Sequence, residues 1–184
     1  TMIVMGSRGM GGLSGMVMGS VSASVVSHAS CPVVVVREDN HVTDSTKYGP
    51  VVVGVDGSEV SQKATAYAFR EAQARGAALI AVHTWMDMQV QASLAGLSAA
   101  QSEWADIEKE QSELLAENLK EPREEYPDVE VKQLITRDRP VSALTEAAEG
   151  AQLLVVGSHG RGGFKGMLLG STSRALLQSA PCPM

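Results

Sequence analysis

Glycine residues recur at a fixed spacing near the end of the chain, in the stretch Gly157-Ser-His-Gly160-Arg-Gly-Gly. Another glycine, Gly170, follows Gly160 after nine further residues and precedes Ser171. Glycine lets backbone amides approach an anion closely, and a helix that begins after Gly170 would add unpaired N–H groups and a partial positive charge. A tight strand-to-helix connection would also use glycines, but two such segments together favour a phosphate ligand.

An acidic residue, Asp56, closes an apolar run that begins at Val51. A carboxylate at the tip of a strand can accept hydrogen bonds from ribose hydroxyls, or it can cap the helix that follows. Taken alone, the position favours the capping role. Ligands of open parallel sheets bind beyond the carboxyl ends of the strands, so Asp56 and the glycine loop are expected at the same edge.

Catalytic chemistry is sparse around this loop. His159 and Arg161 lie within it and could contact phosphates, although a solvated surface position is about as well supported. His83, at the end of a predicted strand, is expected to be a satisfied core or rim histidine. No Gly-x4-Gly-Lys-Ser/Thr sequence occurs, and the four histidines lack the spacing of metal ligands. We therefore assign no catalytic residue and no metal ligand, and we favour a binding protein over an enzyme.

The elements that must position these residues alternate between strand and helix. The predicted strands cover 51–56, 78–84, 129–136 and 152–156, and the predicted helices cover 59–75, 99–120, 140–149 and 172–179. Ser58 is the expected N-cap of the first helix, Gly76 its left-handed stop, and Pro122 the end of the second helix. Regular alternation of this kind predicts an α/β fold, a doubly wound parallel sheet with helices on both faces.

An internal repeat sets the domain organisation. Residues 1–33 align with residues 152–184 without a gap, so that Gly6, Gly9, Gly19 and Ser20 take the places of the four residues of the later loop. The offset is about one domain length, which predicts the end of one domain (1–37), a polar linker (38–48) and a second, related domain (49–184). By the same alignment, the second domain lacks its final strand.

Composition and charge narrow the class of protein. The 184 residues include 21 acidic and 15 basic side chains, a net charge of -6, so the basic surface that nucleic-acid binding usually needs is absent. Residues 9–36 carry no Lys, Arg, Asp or Glu, but many Gly and Ser residues interrupt them, which argues against a membrane segment. Two cysteines, Cys31 and Cys182, indicate inert thiols in a reducing cytoplasm rather than a disulfide framework.

The spacing Gly157-x2-Gly160-x9-Gly170-Ser171, with an upstream strand that ends in Asp56, resembles the ATP-binding pattern of the universal stress protein family. The pattern occurs again at Gly6-x2-Gly9-x9-Gly19-Ser20, so the chain resembles a tandem member whose first domain is present only as its C-terminal third. The resemblance implies a parallel five-stranded Rossmann-like fold and bound ATP, which can carry Mg²⁺.

The resemblance also implies a role for individual residues. It assigns Asp56 to the ribose, the backbone around Thr84 to the adenine edge, and Gly157 and Gly160 to the phosphates. The residues that would close over the phosphates or line the pocket are Gly170, Ser171, Thr172, Gly54 and Val156. Only one complete site can be assembled, because the first strand of the earlier domain is not in this chain.

Three functions remain open from the sequence. The favoured one is a cytoplasmic, ATP-binding regulatory protein of the stress response, in the form of a homodimer or a tandem pseudo-dimer. A slow ATPase, or a phosphoryl or adenylyl transferase on the same fold, is the first alternative. The second alternative is an interaction domain that binds no nucleotide, which the intact glycines of both copies disfavour.

Overall fold

The chain folds into alternating strands and helices in a computed structural model that describes residues 1–7, 18–37, 40, 49–85, 101–161 and 168–184, with only the backbone for 101–105. The first elements are β1 (Ile3–Gly6), α1 (Ser20–His28) and β2 (Val33–Val36). They are followed by β3 (Val51–Gly54), α2 (Glu59–Arg75), β4 (Leu79–Thr84), α3 (Gln101–Glu125), β5 (Val131–Thr136), α4 (Pro140–Ala147), β6 (Leu153–Val155) and α5 (Ser171–Ser179). The predicted linker, 38–48, lies outside the described residues except for Asn40.

Four of these strands form one parallel sheet in the order β5-β4-β3-β6. The chain moves outward from β3 to β4 and β5, then crosses back to place β6 on the other side of β3. The strand order therefore reverses between β3 and β6, and the carboxyl ends of these two strands form the crevice in which such sheets bind ligands. The predicted parallel α/β class is confirmed.

Helices cover both faces of this sheet because successive side chains of a strand point to opposite sides. On one face, Val51 and Val53 pack in a buried cluster with Phe69 of α2 and Leu115 of α3. On the other face, Val52 packs in a cluster that includes Leu144 and Leu176. A continuous apolar strand buried on both sides is what the run at 51–55 predicts. The doubly wound arrangement is confirmed with it.

Helix α2 begins and ends where its sequence predicts. The Oγ of Ser58 accepts a hydrogen bond of 3.2 Å from the backbone N–H of Ser61, and Ser58 is the N-cap. Gly76 ends the helix with φ 59°, a left-handed conformation that favours glycine.

Helix α3 continues past the residue that was expected to end it. Pro122 lies inside the helix, which runs to Glu125, so the predicted end at residue 120 is wrong. A proline lacks the N–H and its ring crowds the carbonyl four residues earlier, but its own carbonyl still accepts, here from the backbone N–H of Tyr126 at 2.9 Å. The ring of Tyr126 packs against Phe69 of α2, with centroids 6.2 Å apart, and this packing stabilises the extra turn.

The early elements form a second, two-stranded parallel sheet, β1-β2, which joins the larger unit through the end of the chain. Val35 and Met184 exchange backbone hydrogen bonds of 2.7 and 3.0 Å, a reciprocal pair typical of antiparallel strands. The N–H of Leu154 donates to the carbonyl of Pro183, as that of Ile3 does to Pro32 in the earlier copy. Where five strands were expected in one sheet, the described residues form four, and Pro183–Met184 lie beside β6 at the fifth position.

Candidate functional site

Asp56 lies two residues after the end of β3, at the carboxyl edge of the sheet, in a tight turn. Its Oδ1 accepts a hydrogen bond of 2.9 Å from the N–H of Ser58, two residues ahead. The hydroxyl of Ser61 accepts from the N–H of Asp56 at 3.0 Å and donates to the carbonyl of Gly54 at 3.4 Å. Since Ser58 caps α2, the carboxylate of Asp56 is not the helix cap that its position alone favours. It holds the turn and stays half-exposed at the edge.

The glycine loop meets this carboxylate from the far end of the sequence. Oδ2 of Asp56 accepts a hydrogen bond of 3.2 Å from the backbone N–H of Arg161, 105 residues later. Gly160 approaches so closely that a Cβ there would collide with Oδ2 of Asp56. The two sequence features that predict a ligand at this edge are thus in direct contact.

The first glycine of the loop follows β6 and lies against the start of α2. A Cβ on Gly157 would be 3.0 Å from Cγ1 of Val60 and 3.4 Å from the backbone nitrogen of Ser61. The carbonyl of Gly157 accepts a 2.6 Å hydrogen bond from the hydroxyl of Ser173, in the first turn of α5. Its position therefore depends on two helices.

The N-terminus of α5 returns to the same loop. The N–H of Gly170 donates to the carbonyl of Ser158 at 2.7 Å, and a Cβ on Gly170 would lie 3.2 Å from Cα of His159. Gly170 is the N-cap and has no side chain with which to cap the helix. The first-turn amides, which include those of Ser171 and Thr172, are therefore available to an anion.

The remaining predicted pocket residues lie along the same edge but at different places. Val156 follows β6, and its Cγ1 would be 3.4 Å from a Cβ on Gly54; the methyl groups of Leu144 would be 3.2 and 3.3 Å away. Gly54 thus packs against α4, on the face opposite α2. Thr84 ends β4 and is paired in register with Thr136 of β5, one strand away from Asp56.

His83 is a buried core histidine with both ring nitrogens in contact with polar groups, as expected. Nδ1 lies 2.7 Å from the carbonyl of Val55, and because a carbonyl only accepts, Nδ1 carries the proton. Nε2 lies 3.0 Å from the side-chain amide of Gln111 on α3, which is also buried. The ring thereby links the end of β3, next to Asp56, to a helix on one face of the sheet.

The tips of β4 and β5 carry an aromatic and a cationic residue. Trp85 is buried, and the guanidinium of Arg137 lies 5.2 Å from the centroid of its ring. In the following turn, the N–H of Arg139 donates to Oδ1 of Asp138 at 2.6 Å, and this bond is the main cause of the lowered pKa of Asp138. This end of the sheet thus combines a stacked cation with a carboxylate.

The earlier copy repeats the hydrogen bonds of the loop. The hydroxyl of Ser22 donates to the carbonyl of Gly6 at 2.9 Å, and the N–H of Gly19 donates to the carbonyl of Ser7 at 2.8 Å. Ser20 begins α1, as Ser171 begins α5. Gly9 lies outside the described residues. The two copies therefore share hydrogen bonds of this loop as well as residue types.

Sequence reasoning missed three contacts of the site, two of them made by residues that it did not name. Ser61 holds the Asp56 turn, Ser173 holds Gly157, and the side chain of Arg161 lies against Gly57. The role of Ser173 could have been predicted from the repeat, since a serine, Ser22, occupies the equivalent position in the other copy. The contacts of Ser61 and Arg161 depend on how the two loops meet, and nothing in the local sequence indicates them.

Two other features are absent from the described residues, a cluster of metal ligands and a helix that could span a membrane. Among these residues, no three His, Cys, Asp or Glu side chains are grouped so that they could hold a metal ion. In the same ranges, no helix is both long and apolar enough to cross a membrane.

Comparison with known proteins gives a consistent family match. The model of the universal stress protein family matches residues 1–37 and 47–184. Universal stress protein Rv2005c of Mycobacterium tuberculosis is 48% identical over 183 residues, which is 100% of this chain and 60% of that protein. A universal stress protein of Mycolicibacterium smegmatis is 45% identical over the same length, again 60% of its own chain. The chain therefore spans less than two thirds of these relatives.

Solved structures agree with this match. The crystal structure of a universal stress protein from Archaeoglobus fulgidus superposes with a TM-score of 0.62 and 27% identity, covering 99% of this chain and 60% of the other. A universal stress protein solved in complex with cAMP superposes with a TM-score of 0.50 and 27% identity, covering 73% of this chain and 92% of that one.

Proposed function

Because this chain belongs to the universal stress protein family, we propose that residues 49–184 bind ATP at the carboxyl edge of the four-stranded sheet. The observation that carries the proposal is the contact between Asp56 and the glycine loop. A hydrogen bond of 3.2 Å joins the carboxylate to the N–H of Arg161, at the point where the strand order reverses. A candidate ribose acceptor and a candidate phosphate cradle thus lie side by side.

The carboxylate of Asp56 retains the capacity to bind a ribose. An ionised carboxylate offers about four acceptor sites on its two oxygens. In this structure the N–H groups of Ser58 and Arg161 use one on each oxygen. The remaining sites can accept from ribose hydroxyls without loss of the contacts that shape the turn.

The phosphates would be held mainly by backbone amides. Gly157 and Gly160 place the backbone where no side chain intervenes, and the amides of Ser171 and Thr172 open the nine-residue helix α5 behind a glycine cap. Such amides and the helix dipole favour an anion. A magnesium ion would come with the phosphates, since Mg²⁺ in nucleotide sites is bound largely through phosphate oxygens and water.

The adenine would lie toward β4, against the backbone near Thr84, with Gly54 and Val156 nearer to the ribose. The complex of a relative with cAMP supports an adenine nucleotide as the class of ligand. In this proposal the bound nucleotide biases how the protein associates with a partner in a stress response, and the protein acts as a binding module rather than an enzyme.

The earlier segment has a place in the same proposal. Residues 1–37 would be the C-terminal part of a first domain, linked through residues 38–48 to the second as a tandem pseudo-dimer. The reciprocal hydrogen bonds between Val35 and Met184 support this arrangement. Gly6, Gly19 and Ser20 would then belong to a second nucleotide site that needs residues outside this chain.

Titration calorimetry with ATP tests the proposed site. The protein is first stripped of bound nucleotide, and wild type is compared with Asp56→Ala and with Asp128→Ala, an exposed aspartate before β5 at the opposite edge of the sheet. Loss of the ribose hydrogen bonds should weaken ATP binding by about 10-fold or more in Asp56→Ala only. Wild-type protein that binds no ATP, or equal binding by all three proteins, contradicts the proposal.

A further inference from the structure

His83 is a buried titratable side chain close to the candidate ribose acceptor. It is 4% exposed, and its partner Gln111 on α3 is 3% exposed. Nδ1 donates to the carbonyl of Val55 at 2.7 Å, and Nε2 lies 3.0 Å from Oε1 of Gln111. Buried polar groups are costly without hydrogen bonds, so the contacts at both nitrogens hold the ring in one orientation.

The peptide group that precedes Asp56 is held at both of its polar atoms. Its carbonyl, that of Val55, accepts from His83, and its N–H, that of Asp56, donates to the hydroxyl of Ser61 at 3.0 Å. The two side chains come from different elements, β4 and α2. A peptide group is planar, so two fixed atoms set its orientation. The direction in which the Asp56 side chain leaves the backbone depends on that orientation.

The carboxylate of Asp56 has no comparable contact with the interior among its hydrogen bonds to described residues. Its Oδ1 accepts at 2.9 Å from the N–H of Ser58, which belongs to the same turn and moves with it. Its Oδ2 accepts at 3.2 Å from the N–H of Arg161, an exposed residue. The turn is therefore tied to the buried part of the protein through the preceding peptide, by His83 and Ser61.

We propose that His83 is a positioning residue of the proposed nucleotide site, on which this inference rests. Because it is buried, it acts through the peptide between Val55 and Asp56, which it fixes so that the carboxylate faces the ribose. Gln111 holds the ring from α3, so a chain of contacts leads from that helix to the candidate ribose acceptor. Without the Nδ1 donor the peptide is free to turn, and ATP binding then carries the entropic cost of ordering it.

Two conservative substitutions of His83 separate its two contacts. The amide nitrogen of asparagine is bonded to Cγ, as Nδ1 is, so His83→Asn can still donate to the carbonyl of Val55. The amide of glutamine lies one bond further out, near the place of Nε2, so His83→Gln can reach Gln111 but loses the donor to Val55. In calorimetric titration, ATP affinity should fall by about 10-fold in His83→Gln and by less than about twofold in His83→Asn.

The ligand control is the 2′,3′-dideoxy analogue of ATP, which lacks both ribose hydroxyls. Asp56 has no hydroxyl to bind in this analogue, so wild type, His83→Asn and His83→Gln should bind it with affinities within about twofold of one another.

The protein control is Leu115→Val, which shortens a fully buried side chain on the same helix as Gln111. It disturbs the packing of α3 without touching His83 or Val55, and it should leave the affinity for both ligands unchanged. Circular dichroism shows whether each variant is folded. If His83→Gln does not fold, Gln111→Leu tests the same chain of contacts, because it frees Nε2 and keeps the ring. Its affinity for ATP should fall by about threefold, and its affinity for the dideoxy analogue should not change.

Other results overturn the inference and differ from a failure of the proposed function. Equal losses in His83→Asn and His83→Gln, or equal losses for the two ligands, would make His83 structural only. Unchanged ATP affinity in His83→Gln would show that Asp56 needs no help from His83, while the nucleotide site stands. Wild type that binds both ligands equally would remove the ribose contact of Asp56, and this inference with it, while nucleotide binding remains. Wild type that binds neither ligand contradicts the proposed function itself.

Discussion

The carboxylate of Asp56 and the backbone N–H of Arg161 are joined by a 3.2 Å hydrogen bond across 105 residues of sequence. The contact lies at the crevice between β3 and β6, where the strand order reverses. It requires Gly160, because a Cβ there would occupy the space of Oδ2. The glycine that family resemblance assigns to a phosphate therefore also has a role within the protein, against the carboxylate that we propose binds the ribose.

Substitution of Gly160 tests this contact. Gly160→Ala should weaken ATP binding, because the new methyl group displaces either the carboxylate of Asp56 or the loop that is proposed to hold the phosphates. The same crowding should lower the free energy of unfolding by about 1–3 kcal/mol. Calorimetric titration gives the first quantity and urea denaturation the second.

A double-mutant cycle identifies the partner of the added methyl. In the Asp56→Ala background the carboxylate is gone, so Gly160→Ala should cost much less stability there than in the wild type. Equal costs in both backgrounds would show that the methyl group does not meet Asp56.

The hydroxyl of Ser173 should matter for both stability and binding. Ser173→Ala breaks the 2.6 Å hydrogen bond to the carbonyl of Gly157 and should lower the free energy of unfolding by about 1 kcal/mol. Ser22→Ala is the matched control, because it breaks the equivalent bond to Gly6 in the earlier copy. Both variants should lose similar stability in urea denaturation, but only Ser173→Ala should bind ATP more weakly. If Ser173→Ala and Ser22→Ala bind ATP with equal affinity, Gly157 does not contribute to the proposed phosphate site.

His83 should contribute to the fold rather than to chemistry. His83→Ala leaves the carbonyl of Val55 and the amide of Gln111 buried without their partner, and should destabilise the protein by about 2–4 kcal/mol. His28→Ala, at an exposed residue at the end of α1, should change stability by less than about 0.5 kcal/mol. Thermal unfolding of the two variants makes the comparison, and a stable His83→Ala protein would refute the structural role.

The two thiols should differ in reactivity. Burial raises the pKa of Cys182 to about 11, so near pH 8 only about a thousandth of it is thiolate, the form that reacts. Cys31 is half-exposed. A disulfide reagent should therefore modify Cys31 in the folded protein, and Cys182 only after denaturation or as the pH approaches 11. In a Cys31→Ser variant, rapid modification at pH 8 would contradict this account.

The sequence predicted the elements better than it predicted the contacts between them. The valine run, the Ser58 cap and the Gly76 stop are local signals, and each has its expected place in the structure. Pro122 led to a wrong prediction of the helix end. The helix continues past it because Tyr126, just after the last turn, packs on Phe69. Propensity gave way to tertiary packing at that point.

The candidate site shows the same limit. Asp56 and the glycine loop could be placed at one edge from the strand pattern and the family resemblance. That Arg161 would reach Gly57, or that Ser61 would tie Asp56 to Gly54, depends on how two distant loops approach each other. The approach of two distant loops cannot be predicted from the residue types of one sequence. The serine repeated at positions 22 and 173, by contrast, does indicate a hydrogen bond that both copies make.

If the protein binds ATP as proposed, the nucleotide should be found in the purified protein. The protein is purified without added nucleotide and denatured, and the released small molecules are identified and quantified by chromatography and mass spectrometry. We expect ATP in an amount close to one molecule per chain. Release of no nucleotide, together with no ATP binding in titration, would contradict the proposal and leave the glycine loops as structural turns.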